Sequence, residues 1–572
     1  MHSPDGRFVL VFNGEIYNHR ELRRELEAAG DRFRGHSDTE VLLAACLRWG
    51  VAAAAARCNG MFAFALWDRE ARQLSLARDP VGIKPLYWTV MGGTLIFGSE
   101  LKALRAHPGF VAALDPAAAA GYLRFAYVPG SASIYAGVRK LPPGTVLRFG
   151  PSVTPEAESF WSMEDAIAPT TPGAPLPDEE AVRRLEALLG EAVARQLVAD
   201  VPVGVFLSGG IDSSVVTALA QAGRARPVRS FSIGFHDDEH DEARHAAAVA
   251  RHLGTDHTEL YVDAAMAQEV LPRLPDMYDE PFGDSSQIPT HLVCALTRQH
   301  MKVVLSGDGG DELFGGYSRY MHALRLTRLP ARLPPPLRRL GAAALRRMPG
   351  RGLDRLGGAL GLRRLGTRLN RAGAMLAAGG EDALYLALMS HWGGAESPLP
   401  GVAEHPGPFS DAGLPGRVPE FLRRMQLLDA QTYLPDDILV KVDRASMAVG
   451  LEARVPLLDV ELVRFAGRLT AAQRLRGATG KWVLRQVLYR HVPQPLVDRP
   501  KMGFGVPVGE WMRGPLRDWC EDLLAARSLE ASGLDPRLIR ERWAQHASRA
   551  ADWRYQLWTV LMFVAWQRRW LA

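Results

Sequence analysis

Two glycine-rich loops hold the residues whose types and spacing could do chemistry. The first is Phe206-Leu207-Ser208-Gly209-Gly210-Ile211-Asp212-Ser213-Ser214. The apolar run Val203 to Leu207 predicts a buried strand, the glycines turn the chain, and Ser213 to Gln221 predicts a helix. Glycines let backbone approach a ligand closely, and a helix start offers unpaired N–H groups and the positive end of the helix dipole. That combination suits the pyrophosphate portion of a nucleotide. Ser208, Ser213 and Ser214 add hydroxyl donors, and Asp212 is a carboxylate suited to a Mg²⁺ riding on the phosphates. The Lys of a G-x-x-x-x-G-K-[ST] loop is missing here, and that motif occurs nowhere else in the chain.

The second loop follows another short apolar strand, Met301 to Leu305, and reads Ser306-Gly307-Asp308-Gly309-Gly310-Asp311-Glu312, then Leu313-Phe314-Gly315-Gly316-Tyr317. Three carboxylates in five residues repel one another unless a cation neutralises them. Parallel α/β sheets bind ligands at the carboxyl ends of their strands, so both loops can serve one nucleotide.

The first loop resembles the pyrophosphate loop of enzymes that split ATP into AMP and pyrophosphate. With the second loop, the run Lys441 to Met447, Leu451 to Asp459, Arg499 to Pro507, and the amino-terminal Phe12-Asn-Gly-Glu-Ile-Tyr-Asn18 with Ser37 to Glu40, the chain resembles the glutamine-hydrolysing asparagine synthetase family of bacterial type over nearly its whole length. The resemblance implies a reaction in two steps, the first of which consumes Mg²⁺-ATP. The side-chain carboxylate of aspartate is adenylated with release of pyrophosphate, and ammonia then displaces AMP. It implies that Leu207 and Ile233 contact adenosine, that Ser306 and Gly307 contact ATP, that Ser208 to Ser214, with Gly209 and Gly210, hold pyrophosphate, and that Asp212 and Asp311 are metal ligands. It places Asp308 as the acidic catalytic residue and Lys501 as the group stabilising charge on the α-phosphate. Asn13 and Gly14 match oxyanion-hole donors of the glutaminase half, and Glu15 and Asp38 match contacts to glutamine.

One departure stands out. Family members expose an amino-terminal Cys whose thiolate attacks glutamine. This chain starts Met1-His2-Ser3-Pro4-Asp5 and joins the pattern only shortly before Phe12. Several dozen residues are therefore expected to be missing, through a misassigned start or an incomplete gene, and the glutaminase half is expected to be inactive. Cys46, Cys58, Cys294 and Cys520 cannot replace that nucleophile; Cys46 and Cys58 read as core thiols. Ammonia is then the expected nitrogen donor.

The chain has 572 residues, about four domain lengths. The motifs instead suggest a partial glutaminase domain at 1–165, a linker at 166–178 and a synthetase domain at 179–572. The expected fold is a truncated αββα domain of amino-terminal-nucleophile type, then a doubly wound parallel sheet with a helical carboxyl-terminal part beyond Phe421. In detail, strands are expected at Arg7–Asn13, Met61–Trp67, Gln73–Arg78, Thr94–Gly98 and Val228–Gly234. Helices are expected at Arg20–Ala29, up to Trp49 with Asp38 as cap, at Glu179–Val198 and at Glu242–Leu253. Hydrophobic residues make up 47%, enough for large cores. The net charge of +5 lies largely in the Arg-rich stretch Arg325–Arg371, read as solvated faces of amphipathic helices rather than a nucleic-acid or membrane surface. No signal peptide or spanning segment is legible, and cytoplasmic placement is expected. The expected partners are ATP, aspartate and ammonia or glutamine, with a homodimer left open. Two further readings also stay open. One is a relative acting on another carboxylate, such as a sugar acid, a β-lactam precursor or a peptide. The other is a non-catalytic regulator.

Overall fold

The structure is a computed structural model that describes residues 1–151, 154–169, 174–235, 242–328, 380–393, 396–499 and 505–571. The amino-terminal half stacks two antiparallel sheets. The first comprises β1 (Phe8–Ile16), β2 (Gly60–Asp68), β3 (Gln73–Arg78), β7 (Thr145–Phe149) and β8 (Pro155–Ser159), in that order. The second runs β5 (Thr94–Gly98), β4 (Tyr87–Met91), β6 (Arg139–Lys140). Strand β2 is buried on both faces, which explains its unbroken apolar sequence. Phe62, Phe64 and Leu66 meet α1 (His19–Ala28) and α2 (Asp38–Trp49), while Ala63 and Ala65 meet Leu86, Trp88 and Phe97 beneath the second sheet. Beyond that sheet, Tyr87 packs with α4 (Leu101–Arg105) and α5 (Pro116–Phe125), α3 (Val51–Arg57) having joined the first helical layer. The order is αββα, as expected. One local expectation is corrected: Ser37, not Asp38, caps α2, its hydroxyl accepting the Glu40 N–H. The Asp38 carboxylate instead accepts the Ile16 N–H at 2.9 Å and so ties the helix to β1.

After α6 (Met163–Ile167) and α7 (Asp178–Gln196) the chain enters an open sheet. Its strands are β9 (Val203–Phe206), β10 (Arg229–Phe235), β11 (Asp256–Val262), β12 (Val303–Leu305) and β13 (Glu452–Arg454), ordered β11-β10-β9-β12-β13 with every pair parallel. Helices α8 (Ile211–Gln221), α9 (Ala243–Leu253) and α10 (Gln287–Arg298) provide crossovers. The chain builds outward from β9 to β11 and then returns to lay β12 on β9's other edge. The topological switch point is therefore between β9 and β12, where such sheets bind ligands. Strand β13 is a three-residue exception in a region, beyond Phe421, that is expected to be mainly helical. Apart from a short antiparallel hairpin, Leu475–Arg476 with Thr479–Gly480, the rest of that region is mainly helical and includes α12 (Phe421–Gln431), α13 (Leu439–Met447), α14 (Trp482–Leu488) and α15 (Arg554–Trp570); the short α11 (Gly310–Phe314) precedes it. The Arg-rich stretch lies almost wholly outside the described residues.

The two halves share a core. Tyr87, Leu101 and Tyr122 pack in one cluster with Ile233, Trp558 and Trp566. The Tyr122 hydroxyl donates to Thr559 O at 2.8 Å across the two halves, and within the second half the Trp566 indole donates to Asp279 O at 2.7 Å. Among the described residues no helix is long and apolar enough to cross a membrane.

Candidate active site at the switch point

Loop 207–210 leaves β9 and loop 306–309 leaves β12, so strands that pair through Val205 and Leu305 deliver both loops to one end of the sheet. Leu207 is buried and donates its N–H to Phe231 O; Ile233 is buried on the neighbouring β10. The Ser213 hydroxyl accepts the Ser208 N–H at 3.1 Å and stands 2.9 Å from the Ser208 hydroxyl, fixing the turn through Gly209 and Gly210. Gly307 backs onto this turn so closely that a methyl group there would lie 2.7 Å from the Ser213 nitrogen. Ser214 is the exception among the loop residues: its side chain is fully buried in α8 and its hydroxyl has no protein partner.

The two loops meet on one side chain. Lys481, held at φ +57° as the residue before α14, bonds Asp212 and lies 2.8 Å from Asp311. Burial works against its charge, yet the two carboxylates prevail and raise its pKa. Sequence reasoning missed Lys481 and named Lys501, which lies outside the described residues. Asp308 accepts the Ser306 hydroxyl at 2.5 Å, and burial pushes its carboxyl above the usual range despite that bond and the nearby Lys441. Glu312 is pushed up to about 7 by burial and by Asp311, and the Tyr317 hydroxyl donates to it at 2.6 Å.

A second missed residue is Arg499. It donates to the Ser208 carbonyl at 3.3 Å and stands 3.8 Å from Glu242, while its Nε and Nη1 are buried without a hydrogen-bond partner. An unpaired buried guanidinium nitrogen is costly, so this cation beside a glycine-rich anion loop suits a phosphate. The donor set also suits Mg²⁺: Asp212 and Asp311 already share one cation in Lys481, and two carboxylates plus phosphate oxygens are the oxygen ligands that ion takes. Among the described residues no group of three or more metal-type side chains forms a self-sufficient metal cage.

The amino-terminal candidates sit together on β1. Asn13 donates to the Ser99 hydroxyl at 3.1 Å. Gly14, at φ +149°, presses on β2 so that a methyl group would lie 2.0 Å from Met61 O, which excludes other residues. Glu15 is pushed up to about 7 by burial and faces Arg454 at 3.4 Å. All four cysteines are buried, and burial alone pushes the Cys46 thiol up to about 12.

An αββα half is joined to a parallel sheet that carries a glycine-rich loop and paired carboxylates at its switch point, and sequence comparison shows the family. Residues 184–568 match the asparagine synthase family and residues 1–161 the glutamine amidotransferase domain. The chain is 36% identical to a putative glutamine-hydrolysing asparagine synthetase of Mycobacterium tuberculosis, over 99% of this chain and 84% of that protein. It is 31% identical to a glutamine-hydrolysing asparagine synthetase of Bacillus subtilis, over 98% and 85%. It is 27% identical to an amidase of Penicillium rubens, over 93% and 82%. The chain belongs to the asparagine synthase family.

Proposed function

We propose that this chain converts aspartate to asparagine through an acyl-adenylate, with ammonia as nitrogen donor. The observation that supports it best is the convergence of the two loops on Lys481, with Asp308 on the same loop as Asp311. Carboxylates do not react with amines, and transfer of AMP to the carboxylate supplies a leaving group. In this reading the Ser208–Ser213 turn and Arg499 hold the pyrophosphate portion of ATP. Lys481, with Lys501, balances the charge that grows on the α-phosphate as the carboxylate attacks. Asp212 and Asp311 would hold Mg²⁺, which when bound neutralises the phosphates. Asp308, whose proton affinity is raised, takes a proton from the attacking nitrogen.

We assign the amide-forming role to residues 179–572 and the glutaminase-type scaffold to 1–165, and place the reaction in the cytoplasm, where its substrates are. The similarity to an amidase supports a second reading, the same activation applied to a different carboxylate. Pyrophosphate release from Mg²⁺-ATP, with aspartate compared against other carboxylic acids and ammonium against glutamine, separates them. Aspartate and ammonium should give asparagine, AMP and pyrophosphate. Release of ADP and phosphate, or no carboxylate-dependent release, would defeat both readings.

A further inference from the structure

Behind Asp308 lies a buried charge cluster that the activation step leaves unused. Between α12 and α13 the chain makes one π-helical turn, Leu434–Ile438, a rare form that inserts an extra residue and recurs at functional sites. It sends two adjacent aspartates to different places. Asp436 meets the amino-terminal half: it accepts the Gly130 N–H at 2.7 Å and pairs with Lys140 at 3.0 Å. Asp437 points inward and is only 3% exposed. Its Oδ1 has no hydrogen-bond partner, and the nearest cation, the Lys441 ammonium, stands 4.0 Å away. Lys441 is committed instead to Asp284 at 2.6 Å, and Asp284 also accepts the N–H and hydroxyl of Ser286, each at 2.8 Å. Two buried carboxyls thus share one lysine, and Asp308 feels that same lysine.

We propose that Asp437, backed by Asp284 and Lys441, receives the ammonium ion and takes its proton before the nitrogen reaches the activated carboxyl. The proposal rests on the ammonia-driven amidation argued above. The unpaired Oδ1 offers a small cation a buried anionic ligand, one residue from the seam between the halves. Burial and the neighbouring Asp284 raise its proton affinity well above that of an ordinary carboxylate. Only such a base can compete for a proton of ammonium. The groups acting on it are Asp284, Lys441, Arg319, Tyr433, Tyr278 and Tyr127. The tyrosines stay neutral, so Lys441 and Arg319 are the only cations among these groups.

The steps balance. Ammonium displaces the proton that Asp437 holds, which leaves to solvent. One N–H bond breaks, its proton passes to Asp437 Oδ1, and nitrogen keeps the electron pair. The C–N bond then forms as the acyl C–O bond to AMP breaks, and the second proton goes to Asp308.

The test compares the intact protein with Asp437→Asn and Asp437→Glu, using ammonium and hydroxylamine, the latter uncharged near neutral pH. In Asp437→Asn the apparent KM for ammonium should rise at least about tenfold near pH 7, with the gap closing as pH rises and free ammonia becomes plentiful. Hydroxylamine-supported turnover and aspartate-dependent ATP–pyrophosphate exchange should stay unchanged, and Asp437→Glu should restore part of the ammonium response. Ammonium chloride should also raise the melting temperature of the unaltered protein above that in equal sodium chloride, and not that of Asp437→Asn. Equal losses with ammonium and hydroxylamine, or ammonium stabilisation that survives the substitution, would overturn the assignment. Absence of exchange in the unaltered protein would instead defeat the adenylation reading, leaving the melting comparison to decide this one.

Discussion

In the switch-point cleft, carboxylates from two loops converge on Lys481 and a guanidinium lies buried with two unpaired nitrogens. On β1, by contrast, the polar groups are already used within the protein: Asn13 on Ser99, Asp38 on the Ile16 N–H, Glu15 toward Arg454. Both regions carry family motifs, yet the first keeps a buried cation with unpaired nitrogens, whereas the unpartnered buried atom of the second is the neutral Tyr17 hydroxyl. A motif therefore reports ancestry, whereas an unsatisfied buried charge reports a demand that a substrate can meet.

The largest test of that contrast is Lys481→Ala. Turnover should fall about a thousandfold with little change in the ATP KM, because the lysine acts on charge that appears in the transition state. Steady-state kinetics decide it, and a change in KM alone would make Lys481 a ground-state binder. Next comes Arg499→Ala. The ATP KM should rise about tenfold or more and inhibition by added pyrophosphate should weaken in parallel, with turnover nearly kept, as expected for one lost charged hydrogen bond. Unchanged pyrophosphate inhibition would remove Arg499 from the phosphate site. The smallest effect belongs to β1. Because burial raises Glu15 to about 7, its contribution to stability is present below the ordinary carboxylate range and lost as pH rises through about 7. Glu15→Gln should flatten that part of the stability–pH curve in thermal melts while leaving pyrophosphate release alone. A loss of synthetase turnover would show that β1 is wired to the cleft after all.

Much of this was legible in sequence because it is local. Glycines and acids at the ends of apolar runs mark both loops, and strand-like runs give Gln73–Arg78 and Thr94–Gly98 with their observed limits. What was not legible depends on distance along the chain. Lys481 sits 269 positions from Asp212, at the end of a short hairpin, Leu475–Arg476 with Thr479–Gly480, and nothing local in its sequence points to two distant carboxylates. Strand β13 is three residues, Glu452–Arg454, two of them charged; only its place beside β12 makes it a strand. The capping of α2 turned on which of two neighbouring oxygens reached an amide, and the serine did so while the aspartate was drawn to β1. Asp437 was invisible because a π-turn, not a residue type, separates its fate from that of Asp436.

The core shared by Tyr87, Tyr122, Ile233 and Trp558 bears on how this protein can be inherited. A module that fits its neighbour only through polar contacts can be cut out and joined elsewhere. Here α15, the last helix of the chain, is roofed by α5 from the first half, and their side chains interlock. A recombination break between the halves would strip apolar surface from both at once. Two modules in the genetic text thus behave as one heritable unit, in which a change on the roof must be answered beneath it.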